Sequence, residues 1–143
     1  FIASLSDAEA GELLYDWRFW ARPEQMAPAT DWRCWLYLAG RGAGKTRTAA
    51  EYIRESVYTG TRYIRLLGRT AADVRDVMVE GESGILNVFP PEQRPIYEPS
   101  KRRVTFHTGA TALCFSSEQP DQLRGPESEL DWLDELAAFY DPR

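Results

Sequence analysis

The sequence predicts an α/β fold with a mainly parallel sheet, and three observations carry that prediction. The apolar run Trp35-Leu36-Tyr37-Leu38 leads into Ala39-Gly40-Arg41-Gly42-Ala43-Gly44-Lys45-Thr46, and then into Arg47-Thr48-Ala49-Ala50-Glu51-Tyr52-Ile53. This reads as strand, glycine-rich turn and helix. Downstream, a strand-like run at Arg62–Gly68 precedes a helix that Thr70 can cap, with Asp73 favourable in its first turn. Finally, Leu130-Asp131-Trp132-Leu133, an interrupted apolar run, ends in the acidic pair Asp134-Glu135. Alternating strands and helices place crossovers on the faces of a sheet.

The remaining elements follow in chain order. Ser6 and Glu9 have capping-box spacing, with Leu5 and Ala10 as a staple, and an apolar stripe through Leu13, Leu14, Trp17 and Trp20 predicts one packed helix. Arg22-Pro23-Glu24-Gln25-Met26-Ala27-Pro28 ends it as a connector. Residues 1–30 thus form a helical lead-in, and 31–143 a core. After the break at Gly81-Glu82-Ser83-Gly84, Ile85–Phe89 predicts a short helix stopped by Pro90-Pro91. Ile96–Glu98 and Arg103–Phe106 then read as a hairpin, and Thr111–Ser116 as a further strand. His107, the only histidine, falls among these strands as a structural residue.

Composition narrows the function classes. The 143 residues are 43% hydrophobic and 27% charged, enough for one cored domain, and the net charge of −5 excludes a protein that coats nucleic acid by bulk positive charge. A local basic track remains open, with Arg62, Arg65 and Lys101-Arg102-Arg103 as its candidates. Nothing in the sequence suggests a membrane span or a signal peptide. Cys34 and Cys114 lack the spacing of a zinc site and read as two buried thiols.

The chemistry of the loop explains its residues. Glycines let successive N–H groups approach an anion, and the start of a helix adds unpaired donors and partial positive charge. Gly40, Arg41, Gly42, Ala43, Gly44, Lys45 and Thr46 are therefore read as a phosphate-binding loop for ATP, with Lys45 on the β- and γ-phosphates and the Thr46 hydroxyl on Mg²⁺. Ala39 stands where the common pattern has its first glycine. Asp134 is then the second Mg²⁺ ligand, and Glu135 the general base that polarises water. Arg41 and Arg124 are candidates to stabilise the transferring phosphoryl group, although from local sequence Arg124 reads first as a loop residue paired with Glu127 or Glu129. Gln25 is either an adenine-reading amide or a surface glutamine.

In combination, these motifs are specific. Trp20-Ala21-Arg22-Pro23-Glu24-Gln25, the arginine-containing loop, Gly68-Arg69-Thr70-Ala71-Ala72-Asp73, Tyr97–Arg103, Leu123-Arg124-Gly125-Pro126 and Asp134-Glu135-Leu136-Ala137 together resemble the ATPase domain of the large terminase subunit. That subunit is the DNA-packaging motor of tailed bacteriophages and gene transfer agents. The resemblance implies a P-loop fold of the additional-strand, catalytic-glutamate type. It also implies adenine sensing by Gln25, a phosphate-loop arginine at Arg41, and Arg124 as an arginine finger acting in trans. The implied partners are double-stranded DNA, a portal protein, a small terminase subunit and a homo-oligomeric ring, five-membered by analogy. The implied setting is the host cytoplasm and, transiently, the capsid portal, without a membrane.

Because the sequence stops at Asp141-Pro142-Arg143, the resemblance also implies an N-terminal fragment. Such a fragment lacks a strand between the loop strand and the acidic strand, as well as the nuclease domain. A helicase-like ATPase and a non-hydrolysing nucleotide-binding module are the competing expectations.

Overall fold

Apolar β-branched and leucine-rich segments buried on both faces tend to pair in parallel beneath helices, and β1 (Tyr63–Gly68) and β4 (Thr111–Ser116) do so here. The computed structural model describes residues 1–139, so the expectations attached to Asp141-Pro142-Arg143 lie outside the described residues. β1 runs parallel to β4, with Ile64 opposite Ala112 and Leu66 opposite Cys114. On its other side β1 runs parallel to β5 (Leu130–Leu133), with Leu66 opposite Trp132. β3 (Arg103–Thr105) joins β4 antiparallel and β2 (Ile96–Glu98) joins β3, giving the order β2-β3-β4-β1-β5.

The α/β class and the parallel part, β4-β1-β5, are as expected, but the sheet is mixed because β3 runs antiparallel to both β2 and β4. The short turn Pro99–Lys101, closed by Arg102 at φ +50, is too tight for a crossover and returns the chain antiparallel.

The core lies between sheet and helices. α3 (Lys45–Tyr58) turns Ala50, Ile53 and Val57 inward at helical spacing. They meet Ile64 and Leu66 of β1, Val104 of β3 and Ala112 of β4. α4 (Ala71–Asp73) starts from a capping box between Thr70 and Asp73 and passes into a π-helical turn, Val74–Val79. Its Val74, Met78 and Val79 join Ile85 and Val88 of α5 (Ile85–Val88) in the same cluster. His107 lies beside Tyr58 and Phe89 as a packing residue.

Three further expectations are corrected. Trp35–Leu38 forms no strand: it enters no ladder with the sheet, although the outer edge of β5 is free among the described residues. The run is extended but held by its side chains. Trp35 packs on Tyr52 of α3 and on Tyr37, whereas Leu36 and Leu38 remain exposed.

The single lead-in helix is two: α1 (Asp7–Leu14), with its Ser6–Glu9 capping box intact, and α2 (Trp17–Trp20). The Asp16 carboxylate accepts from the N–H groups of Arg18 and Phe19 and so starts a new helix. Neither helix buries a residue, and the apolar stripe is not a core face. Finally, only Cys114 is buried; Cys34 is exposed on the loosely held run.

Candidate functional site

The loop between the extended run and α3 takes its shape from two left-handed glycines, Gly42 and Gly44, both at φ +76. Gly44 occupies the N-cap position of α3, so no side chain caps the helix, and its first turn carries no acidic residue. Among the described residues no acceptor meets the N–H groups of Gly44, Lys45 and Thr46. A fourteen-residue helix therefore opens with unpaired donors and partial positive charge. The Lys45 ammonium is folded onto the loop, donating to the carbonyls of Ala39 (3.0 Å) and Gly40 (2.9 Å).

The opposite wall is set by β1. The strand ladder continues one residue past β5: the Asp134 N–H donates to the Leu67 carbonyl at 2.9 Å. Three residues earlier, on β5 itself, Asp131 is gripped by Arg65 through two hydrogen bonds of 2.7 and 2.6 Å, which lock β5 in register. Asp134 consequently emerges at the carboxyl end of parallel strands, where open α/β sheets bind ligands. Burial raises its pKa, and the neighbouring Glu135 and Asp73 add to the rise while Lys45 opposes it. Glu135, which is exposed, follows at φ +50 and ψ 52, a left-handed backbone that non-glycine residues adopt at a cost of about 1–3 kcal/mol.

Both walls face one cleft of about 480 Å³, within the usual size range of small-molecule sites. Arg41, Gly42, Ala43, Gly44, Lys45 and Thr46 line one side of it, and Asp134 and Glu135 the other. The loop and the acidic pair are thus together although no strand joins them. The donor set fits a polyphosphate with its cation: free N–H groups and an ammonium for the anion, a hydroxyl and a carboxylate for the metal.

A third wall was not anticipated from the sequence. Asp76 and Val77 of the π turn, with Gly81, Glu82 and Ser83, complete the cleft, and Arg47 joins it from α3. The only sequence signal was the break at Gly81-Glu82-Ser83-Gly84. A Cβ at Gly81 would meet the Val77 carbonyl at 2.6 Å, and one at Gly84 the Val79 carbonyl at 2.7 Å, so both glycines let the chain fold back against the π turn.

The other expected site residues lie outside the cleft. Gln25 is 5% exposed behind the loop, donating to Thr48 Oγ1 at 3.0 Å and accepting from the Arg22 N–H at 3.1 Å. Arg124 lies on an exposed loop near Asp121 (3.6 Å) and not near Glu127 or Glu129. The Glu129 carboxylate instead accepts from the N–H groups of Arg62 and Tyr63. Carboxylates of the chain offset only part of the proposed basic track. Lys101 and Arg103 both pair with Glu98, Arg102 donates to Gln122, and Arg65 is held by Asp131.

Behind the loop helix, Glu51 is buried between Arg47 (2.7 Å) and Arg54 (3.0 Å), and desolvation raises its pKa against both cations. Arg54 also donates to the carbonyls of Val88 and Tyr15, tying α3 to α5 and to the lead-in.

The family described as terminase large subunit, T4likevirus-type, N-terminal matches residues 36–143, which takes in the loop and both acidic residues but not Arg22 or Gln25. No curated protein and no solved structure matches the chain.

Proposed function

The chain belongs to the T4-like large terminase subunit family, and from that premise we propose that it binds and hydrolyses ATP to drive double-stranded DNA into a capsid. Family membership makes DNA packaging the setting. The observation that carries the hydrolytic reading is the apposition of unpaired loop donors and Lys45 to Asp134 and Glu135 across one cleft.

In this reading the N–H groups of Gly44, Lys45 and Thr46 and the Lys45 ammonium bind the phosphates, and Lys45 leaves its two loop carbonyls to do so. Thr46 and Asp134 would hold Mg²⁺, which supplies charge neutralisation on the β- and γ-phosphates. Glu135, being exposed, takes the proton of a water that attacks the γ-phosphate, leaving ADP and inorganic phosphate. Arg41 stabilises the charge on the transferring group. Arg124, which lies outside the cleft of its own chain, serves a neighbouring subunit in a ring, five-membered by analogy. The portal and a small terminase subunit complete the proposed assembly, in the host cytoplasm. Among the described residues no helix is long and apolar enough to cross a membrane.

Two variants test this. Lys45→Ala should abolish ATP binding measured by calorimetry, and unchanged affinity would overturn the loop assignment. Glu135→Gln should bind ATP as tightly as wild type and release phosphate at least about a hundredfold more slowly, within the range for loss of a general base. Normal turnover would remove Glu135 from the chemistry.

A further inference from the structure

The connector before the loop touches both the loop and the first turn of α3, and the pattern assigns a task to a residue outside the family match. Arg22 Nη2 donates to the Ala43 carbonyl at 2.7 Å. Its Nε donates to Glu24 at 3.1 Å, which holds the guanidinium plane. Gln25 braces the same turn. It accepts from the Arg22 N–H, donates to Thr48 in the first turn of α3, and sets its Nε2 2.8 Å from where a Cβ on Gly44 would stand.

The Ala43 carbonyl and the Gly44 N–H belong to one peptide unit, and the chain has no cis bonds among its described residues. In a trans peptide these two groups point in opposite directions. Fixing the carbonyl outward on Arg22 therefore fixes the Gly44 N–H on the opposite side, where it meets no protein acceptor and where Gly44 lines the cleft. Without that hold, the peptide between Ala43 and a glycine would rotate easily, because glycine accepts both signs of φ.

We propose that Arg22 is a positioning residue that presets the Ala43–Gly44 peptide so that the Gly44 N–H is aimed at phosphate before the ligand arrives, with Gln25 as its brace. The proposal rests on the phosphate-loop reading above. It requires that the clamp act on the phosphate end of the ligand and not on its base.

The test compares two probes on the full chain: magnesium tripolyphosphate, which has no base, and ATP. Arg22→Ala should weaken both by the same factor, about tenfold for the loss of one charge-assisted hydrogen bond and the order it imposes. Arg22→Lys, which can still donate to the Ala43 carbonyl, should recover most of the loss. Arg22 is about half exposed (53% for the side chain), so the variant should melt at the wild-type temperature.

Loss of ATP affinity with unchanged tripolyphosphate affinity would overturn the proposal in favour of base reading by the connector. Unchanged affinity for both probes would overturn it outright. Failure of the wild-type chain to bind tripolyphosphate at all would take down the phosphate-loop reading, and this proposal with it. Gln25→Ala gives the parallel measurement for the brace, and the ratio of the two affinities remains informative even if that buried substitution lowers the melting temperature.

Discussion

The two walls of the cleft are held in different ways. The loop wall is local: eight consecutive residues, Ala39 to Thr46, lead directly into α3, and a turn only some twenty residues earlier fastens it from behind. The acidic wall is remote. Asp134 owes its place to β1, through a ladder contact with Leu67 and an ion pair between residues 66 positions apart. No strand connects the walls: β5 is an edge of the sheet, and Trp35–Leu38 lies outside it. Their relation is therefore set through the shared core, in which α3 and β1 pack together.

The sharpest way to break this arrangement is to damage what both walls share. Leu66 is fully buried at the centre of β1, and Leu66→Ala should cost about 2–5 kcal/mol by urea unfolding. If it instead left stability within about 0.5 kcal/mol of wild type, the range of a surface substitution, β1 would not be the common anchor.

Next in size is Gly44→Ala, which addresses the loop wall alone. The left-handed backbone should cost about 1–2 kcal/mol, and the new methyl would press on the Gln25 amide. ATP affinity should fall more than stability does. Equal loss of both would mean that the loop is not an independently shaped unit.

Arg65→Ala addresses the acidic wall alone. Its pair with Asp131 is a quarter to a third exposed, so about 1 kcal/mol is expected. The dependence on pH gives a finer test, because two aspartates on this wall behave oppositely. Hydrogen bonds from Arg65 hold the Asp131 carboxyl below the ordinary value of 3.8. Its contribution is present in full above that value and lost as pH falls through the lowered one. Asp134 is raised above 3.8 by burial, so the stability it contributes is present below 3.8 and lost as pH rises through the raised value. Asp134→Asn should therefore raise the melting temperature at pH 7, and the gain should vanish in acid. A gain that persisted below pH 3.8 would assign it to packing and not to charge.

The smallest effect concerns the loosely held run before the loop. Cys34 is exposed on it, whereas burial pushes the Cys114 thiol up to about 12. A thiol reagent at pH 8 should label one cysteine per native chain promptly and the second only on unfolding. Slow labelling of both would show that the run is more firmly packed than its exposed Leu36 and Leu38 indicate.

Much of the molecule was legible before any coordinates. The Ser6–Glu9 capping box, the helix start at Thr70, α3, the hairpin of β2 and β3, and the strands β1, β4 and β5 all follow from neighbours within a few residues of one another. Capping and periodicity are short-range effects, so sequence spacing determines them. The glycine-rich turn into α3 belongs to the same class, since its glycines, Lys45 and the helix start are contiguous.

Tertiary structure alone decided the rest. Trp35–Leu38 has the composition of a strand and forms none, because a strand also needs a ladder partner, which the residues of the run do not specify. Gln25 could not be placed from its neighbours, since its amide is committed to Thr48, 23 residues away. Spacing does not reveal that Lys101 and Arg103 share the Glu98 carboxylate while Arg102 between them reaches Gln122. The wall formed by Asp76, Val77 and Gly81–Ser83 depends on a π turn that no periodicity announces. In each case the sequence supplied the chemical group, and long-range packing determined which partner it met.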